Sequence, residues 1–165
     1  RWVMLAGSAA LVVVLGALAA SWGIHLRPAY WGFMLVAWVL LGIGYSATVT
    51  PGGRLLRRSS ASEDRPALFA AQFALSHVCW LIAYPLAGQL GALVGFGAAF
   101  AVCAALAAFG LGISILIWPS ADPDEGDHTH DHLPFDHQHL VNDHAGGKAH
   151  HAFVIDDLHS AWPGR

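Results

Sequence analysis

The sequence has 165 residues, of which 56% are hydrophobic and only 12% are charged, and its formal net charge at pH 7 is -3. Soluble domains carry about 25% charged residues, so this composition excludes an ordinary soluble domain and indicates a chain whose main solvent is lipid. Both cysteines, Cys79 and Cys103, lie inside apolar runs, which excludes a disulfide framework and a C-x-x-C site.

Four apolar stretches predict membrane-spanning helices. A helix needs about 20 apolar residues to cross a hydrocarbon core of about 30 Å, and lipid offers no partner to unpaired backbone amides. The predicted helices cover residues 2–22, 30–50, 67–90 and 96–118. We therefore predict an all-α, polytopic membrane region over residues 1–118, followed by a largely disordered tail over residues 119–165.

A secretory signal over residues 2–20 is the alternative interpretation of the first stretch. Because the sequence begins at Arg1 rather than at a methionine, in the middle of the apolar pattern, we expect the protein to extend upstream.

The basic residues predict the orientation of these helices. Four arginines are placed in the connection between the second and third helices: Arg54, Arg57, Arg58 and Arg65. The first connection has only Arg27, and the third, at residues 91–95, has no charge. The positive-inside rule then places the arginine-rich connection and the tail in the cytoplasm.

Polar residues at membrane depth concentrate in the second and third helices. His77 is the only ionisable residue in a helix interior, about 15 Å deep, where it must face protein or water. At helical spacing it shares one stripe with Phe73, Trp80 and Tyr84, and the neighbouring stripe is formed by Gln72, Ser76 and Cys79. The candidate pathway residues are Tyr45, Gln72, Ser76, His77, Trp80 and Tyr84. The alternative for His77 is a neutral ring bonded to a neighbouring helix. For the second helix, the glycines and hydroxyls near its cytoplasmic end indicate a gating or pathway role, and the alternative is a plain helix end.

The fourth helix carries small residues at four-residue spacing, namely Ala104, Ala108 and Gly112. Small residues let the backbones of two membrane helices approach closely. We therefore expect this face to pack against another helix.

The tail contains nine of the eleven histidines: His128, His130, His132, His137, His139, His144, His150, His151 and His159. Neutral imidazole is a ligand for Ni, Zn and Co, and the interleaved aspartates can join or orient such ligands. We predict that the tail binds a divalent metal ion; a merely solvated polar tail is the alternative. No other cofactor is required.

Two segments carry a resemblance to a known family, namely residues 50–59 (TPGGRLLRRS) and residues 64–77 (DRPALFAAQFALSH). They resemble a branch of bacterial major facilitator superfamily (MFS) proteins that act as efflux transporters, and the opening RWVMLAG is similar to the start of one of that family's helices. The resemblance implies helices nine to twelve of a multi-pass transporter in the inner membrane of a bacterial cell, with a cytoplasmic C-terminus. Its implied partners are the lipid bilayer, the missing N-terminal helices and a metal ion or small-molecule substrate, with no nucleic acid.

These observations predict part of a secondary transporter, with proton-coupled efflux of a metal ion or small molecule. The alternative is a non-transporting four-helix module that binds or senses metal. A membrane enzyme with histidine-bound haem or di-iron would need facing histidines, yet His25 is placed in a loop and leaves His77 without a partner at its depth. We therefore expect no enzymatic activity.

Overall fold

The computed structural model describes residues 1–25, 27–119, 125–129, 148–152 and 154–155. Residues 125–129 and 148–152 are described as backbone only. The first helix, α1 (Trp2–Ser21), ends in a 3-10 turn, Trp22–Ile24. It is followed by α2 (Ala29–Arg58), α3 (Arg65–Leu93) and α4 (Phe96–Ile117). Four helices in the described part of the chain are long and apolar enough to cross a membrane, so the predicted all-α membrane region is confirmed.

The second helix is longer than the sequence predicts. The expected end at residue 50 preceded Pro51-Gly52-Gly53, but α2 continues through Pro51 to Arg58. Proline removes one backbone hydrogen bond, and membrane helices tolerate this because neighbouring groups satisfy the freed carbonyl. Arg57 and Arg58 in the last turn also favour the helix, since cations stabilise the negative end of its dipole. Three of the predicted loop arginines therefore lie on α2, and Arg65 begins α3.

The helices divide between two compact units. The first unit comprises Arg1–Gly53 and Phe69–Pro119, and its core is formed by α1, α2 and α4. Val14 and Leu18 on α1 are buried against Ala37 of α2. The partly buried residues packed around them are Met34, Leu41 and Phe100.

A close crossing fixes α1 against α2 within this unit. A Cβ atom added to Gly7 would lie only 2.7 Å from the carbonyl oxygen of Gly44, and one added to Gly44 would lie 3.0 Å from the carbonyl oxygen of Gly7. Beside this contact, Ser8 Oγ and Thr48 Oγ1 are 3.4 Å apart, and Thr48 also donates to the Gly44 carbonyl at 2.9 Å. The two backbones approach this closely because neither glycine has a side chain.

An aromatic cluster joins the end of α1 to the start of α4. The Trp22 ring is stacked on His25 at a centroid distance of 4.3 Å. It also meets Phe96 and Phe100 edge-on, at 5.6 Å and 6.0 Å. Gly97 makes room for this cluster, since a Cβ there would lie 3.0 Å from three atoms of the Trp22 side chain. Aromatic pairs of this kind contribute about 0.5–1.5 kcal/mol each beyond their buried area.

The second unit contains the end of α2, the start of α3 and the described part of the tail. Two tail strands, β1 (Glu125–Thr129) and β2 (Lys148–Ala152), form an antiparallel ladder. After β2, the backbone N–H of Ile155 donates to the carbonyl oxygen of Arg58 at 3.0 Å. The sequence predicts no strands, because these segments lack the apolar alternation that marks a half-buried strand.

Candidate functional site

The predicted stripe on α3 is a continuous column of aromatic rings. His77 lies between Phe73, at a centroid distance of 4.0 Å, and Trp80, at 5.0 Å. Trp80 in turn is stacked on Tyr84 at 6.2 Å, with 24° between the ring planes. The helical spacing of three and four residues places these side chains on one face, as the sequence predicted.

The imidazole of His77 is held by the backbone of its own helix. Its Nδ1 atom lies 2.8 Å from the carbonyl oxygen of Phe73, and the hydroxyl of Ser76 donates to the same carbonyl at 2.7 Å. Because a carbonyl oxygen can only accept, Nδ1 carries the hydrogen, and in a neutral ring Nε2 is left as an acceptor. The arrangement can therefore present one basic nitrogen to a proton, a metal ion or a hydrogen-bond donor.

This face is open rather than packed. No residue of α3, a helix that the structure describes throughout, is buried. Phe73 is 66% exposed and Tyr84 is 69% exposed. Among the described residues, no neighbouring helix therefore covers His77, and its hydrogen-bond partner is Phe73 of its own helix. An exposed imidazole at this depth is unfavourable in hydrocarbon, so the face requires water or protein beside it.

The remaining predicted pathway residues lie away from this column. Gln72 reaches the end of α2, where its Nε2 atom would lie 3.4 Å from a Cβ added to Gly52. Tyr45 is half exposed on α2 and makes no ring contact with another residue whose side chain is described. The structure thus brings His77, Ser76, Trp80 and Tyr84 together, and it places Gln72 and Tyr45 outside that group.

The hydroxyl groups of α2 are used within helices or at helix crossings. Thr48 bonds to Gly44 and faces Ser8 of α1, as described above. Ser46 Oγ and Thr50 Oγ1 lie 3.4 Å apart one turn along the same helix. These contacts favour packing over a gating role for this part of α2.

The histidine tail is described only in part. His128, His150 and His151 lie on the strand ladder, whereas His130, His132, His137, His139, His144 and His159 lie outside the described residues. Among the residues that could be searched, no group of three His, Cys, Asp or Glu side chains is placed to hold a metal ion. Metal binding by the tail stays a prediction.

One contact of the tail was not predicted from the sequence. Val154 and Ile155 are half-buried, and Ile155 bonds to the end of α2. The signal that could have indicated it is the short apolar run around these residues in an otherwise polar tail, which was recognised only as a piece able to become ordered.

Comparison with known proteins gives one match, to a family model. Residues 1–152 match the family model described as Major Facilitator Superfamily. The match includes all four helices and both strands. No curated protein and no solved structure matches the chain.

Proposed function

The chain belongs to the major facilitator superfamily, a family of transporters, and on this premise we propose that α3 lines the substrate pathway of a secondary transporter. The observation that supports this most is the open column of rings around His77. A transporter needs polar and aromatic groups where water and substrate reach the middle of the membrane, and such groups are unfavourable against lipid. In the proposal, helices outside the four described here complete the cavity that α3 faces.

His77 is the proposed proton acceptor of this pathway. Its Nδ1 hydrogen is engaged by the Phe73 carbonyl, which fixes the ring and leaves Nε2 free to take up and release a proton. The flanking rings of Phe73 and Trp80 restrict the ring further. We propose that this proton exchange drives efflux of a metal ion or a small organic molecule.

The proposed orientation rests on charge. Arg54, Arg57 and Arg58 at the end of α2 and Arg65 at the start of α3 would face the cytoplasm of a bacterial cell under the positive-inside rule. After these arginines the chain crosses the membrane twice, through α3 and α4. The tail would therefore lie on the same, cytoplasmic side of the inner membrane. Its nine histidines would there bind Ni²⁺, Zn²⁺ or Co²⁺ entering or awaiting transport.

The proposal for His77 predicts a loss of proton coupling. Membrane vesicles that contain the transporter would be challenged with Ni²⁺, Zn²⁺, Co²⁺ and lipophilic organic cations, and the collapse of an imposed pH gradient would be followed with a fluorescent dye. We expect His77→Gln, which keeps a polar side chain but cannot carry a proton, to abolish the substrate-dependent collapse and the pH dependence of transport.

Ser114→Ala is the matched control for this experiment. Ser114 is also an exposed polar residue of a spanning helix, and its hydroxyl donates to the carbonyl of Gly110 at 2.9 Å, as His77 does to Phe73. The control should transport normally. Unchanged transport and pH dependence in both His77→Gln and His77→Ala would contradict the proposal and leave a packing role for the aromatic column.

A further inference from the structure

Four arginines surround the turn between α2 and α3. Arg54, Arg57 and Arg58 lie on the last turns of α2, and Arg65 is the first residue of α3. A connection of only six residues joins the two helices, and the whole segment Arg54–Leu68 belongs to one compact unit. Residues three and four positions apart share one face of a helix, so the arginines of α2 project side by side.

Three of these arginines have no partner for their charge in the described part of the chain. Arg54, Arg57 and Arg65 form no side-chain hydrogen bond or ion pair there, although Glu63 and Asp64 belong to the same connection. The Nε atom of Arg65 is also buried. A buried charged donor without an acceptor is unfavourable, and so are like charges one helical turn apart. The segment therefore needs an anion that the described residues do not supply.

The length of α2 brings its arginines to the level of the lipid headgroups. Its 30 residues extend about 45 Å at about 1.5 Å each, about 15 Å more than the hydrocarbon core. The apolar part of α2 ends near residue 50, so Arg54 lies about 6 Å beyond it, within a headgroup layer about 5–7 Å thick. Arg57 lies about one turn further, and its long side chain can reach back towards this layer. Arg65 precedes the apolar part of α3 by about 3 Å.

The described part of the tail leaves this surface open. Ile155 contacts the last residue of α2, where its backbone N–H donates to the Arg58 carbonyl at 3.0 Å. Arg58 is only 8% exposed, whereas Arg54 and Arg57 are exposed. A ligand from outside the chain can therefore reach Arg54 and Arg57.

We propose that Arg54, Arg57 and Arg65 bind the phosphate group of an anionic phospholipid beside the turn between α2 and α3. Arginine suits this ligand because its planar guanidinium donates two parallel hydrogen bonds to phosphate oxygens. The lipid phosphate already lies at the depth of these side chains, which favours it over free phosphate in the water beyond. The bound lipid holds this turn at the membrane surface, a role separate from the pathway on α3.

The test uses the full chain in nanodiscs of phosphatidylcholine, with a fluorophore placed in the connection. The fluorophore is attached through Ser62→Cys, at an exposed position, in a background with Cys79→Ala and Cys103→Ala. Increasing amounts of phosphatidylglycerol or phosphatidylcholine carrying a nitroxide close to the headgroup are included, and quenching measures how strongly each lipid associates with this site. We expect phosphatidylglycerol to associate more strongly than phosphatidylcholine. Each arginine near an anionic surface contributes about 5-fold, so Arg54→Gln/Arg57→Gln should weaken this preference by up to about 25-fold.

Two variants serve as controls. Arg54→Lys/Arg57→Lys keeps both charges but loses the paired hydrogen bonds of guanidinium, so it should retain only part of the preference. Arg27→Gln removes the exposed arginine of the connection between α1 and α2 and should leave the preference unchanged. Far-ultraviolet circular dichroism of each variant shows that its helices remain intact, so that a lost preference is not a loss of fold.

Three results would overturn the proposal. The first is equal quenching by phosphatidylglycerol and phosphatidylcholine in the native chain. The second is a preference that stays at its native strength in Arg54→Gln/Arg57→Gln. The third is displacement of phosphatidylglycerol by inorganic phosphate at constant ionic strength, which would assign these arginines to a free anion instead of a lipid. The His77 variants test the pathway on α3 independently of all three.

Discussion

Substitution of Gly7 by alanine tests the α1–α2 crossing most directly. The added Cβ would lie 2.7 Å from the Gly44 carbonyl oxygen, 2.8 Å from Thr48 Oγ1 and 2.9 Å from the Cβ of Ala47. Carbon and oxygen atoms in favourable contact are about 3.3–3.6 Å apart, so the helices must separate by several tenths of an ångström. Overpacking of this kind costs about 1–3 kcal/mol. Alanine in place of glycine in a helix contributes about 0.5–1 kcal/mol in the opposite direction.

Gly16 on the same helix provides the matched control. A Cβ at Gly16 would meet no described atom within 4 Å, so Gly16→Ala gains the helix propensity without the overpacking. The difference between the two variants therefore isolates the close approach, and it should amount to about 1–3 kcal/mol in the free energy of unfolding. Unfolding in mixed micelles at increasing SDS, followed by far-ultraviolet circular dichroism, measures this difference.

The contact also predicts coupling between its two sides. Gly44→Ala should destabilise the chain as Gly7→Ala does, because its Cβ would lie 3.0 Å from the Gly7 carbonyl oxygen and 3.1 Å from Leu11 Cδ2. Once one substitution has separated the helices, the second meets less resistance, so the double variant should lose less than the sum. Equal stabilities of Gly7→Ala and Gly16→Ala, or strict additivity at Gly7 and Gly44, would refute the close crossing.

Two further predictions concern the other helix contacts and the orientation. Gly97→Ala should weaken the Trp22 cluster, because the new Cβ lies 3.0 Å from three Trp22 atoms; near-ultraviolet circular dichroism and thermal unfolding should change relative to Gly110→Ala, whose Cβ would meet no described atom within 4 Å. In a background with Cys79→Ala and Cys103→Ala, a cysteine at exposed Val94 should react with an impermeant maleimide added outside the cell, whereas one at exposed Ser59 should not. The reverse labelling pattern would overturn the proposed orientation.

The sequence predicted the existence of all four helices and the composition of the α3 column, because length, hydropathy and helical spacing determine both. It placed the end of α2 too early, since Pro51-Gly52-Gly53 are typical of a helix stop and the stabilising contacts of the following turn are tertiary. Small residues on α4 suggested close packing at Ala104, Ala108 and Gly112; a Cβ at Gly112 would meet no described atom within 4 Å, whereas one at Gly97 of the same helix would lie 3.0 Å from the Trp22 side chain. Spacing shows which glycines share a face but not which face meets a neighbour.

The continuous α2 makes a last prediction, at Pro51. Proline has no N–H to donate to the carbonyl of Ala47, four residues earlier, and in a helix interior it is about 3 kcal/mol less favourable than alanine. Pro51→Ala should therefore raise the free energy of unfolding, by less than this amount because membrane helices partly compensate for proline. A change in helix geometry at this residue would also shift Gly52 relative to Gln72 on α3. If the proline is needed for movement of α2 during transport, the variant should be more stable and slower. Pro85→Ala in α3 is the control, since it removes the other proline inside a spanning helix without touching the α2 contact. A loss of stability in Pro51→Ala would contradict this reasoning, because it would mean that the ring itself makes packing contacts that outweigh the missing hydrogen bond.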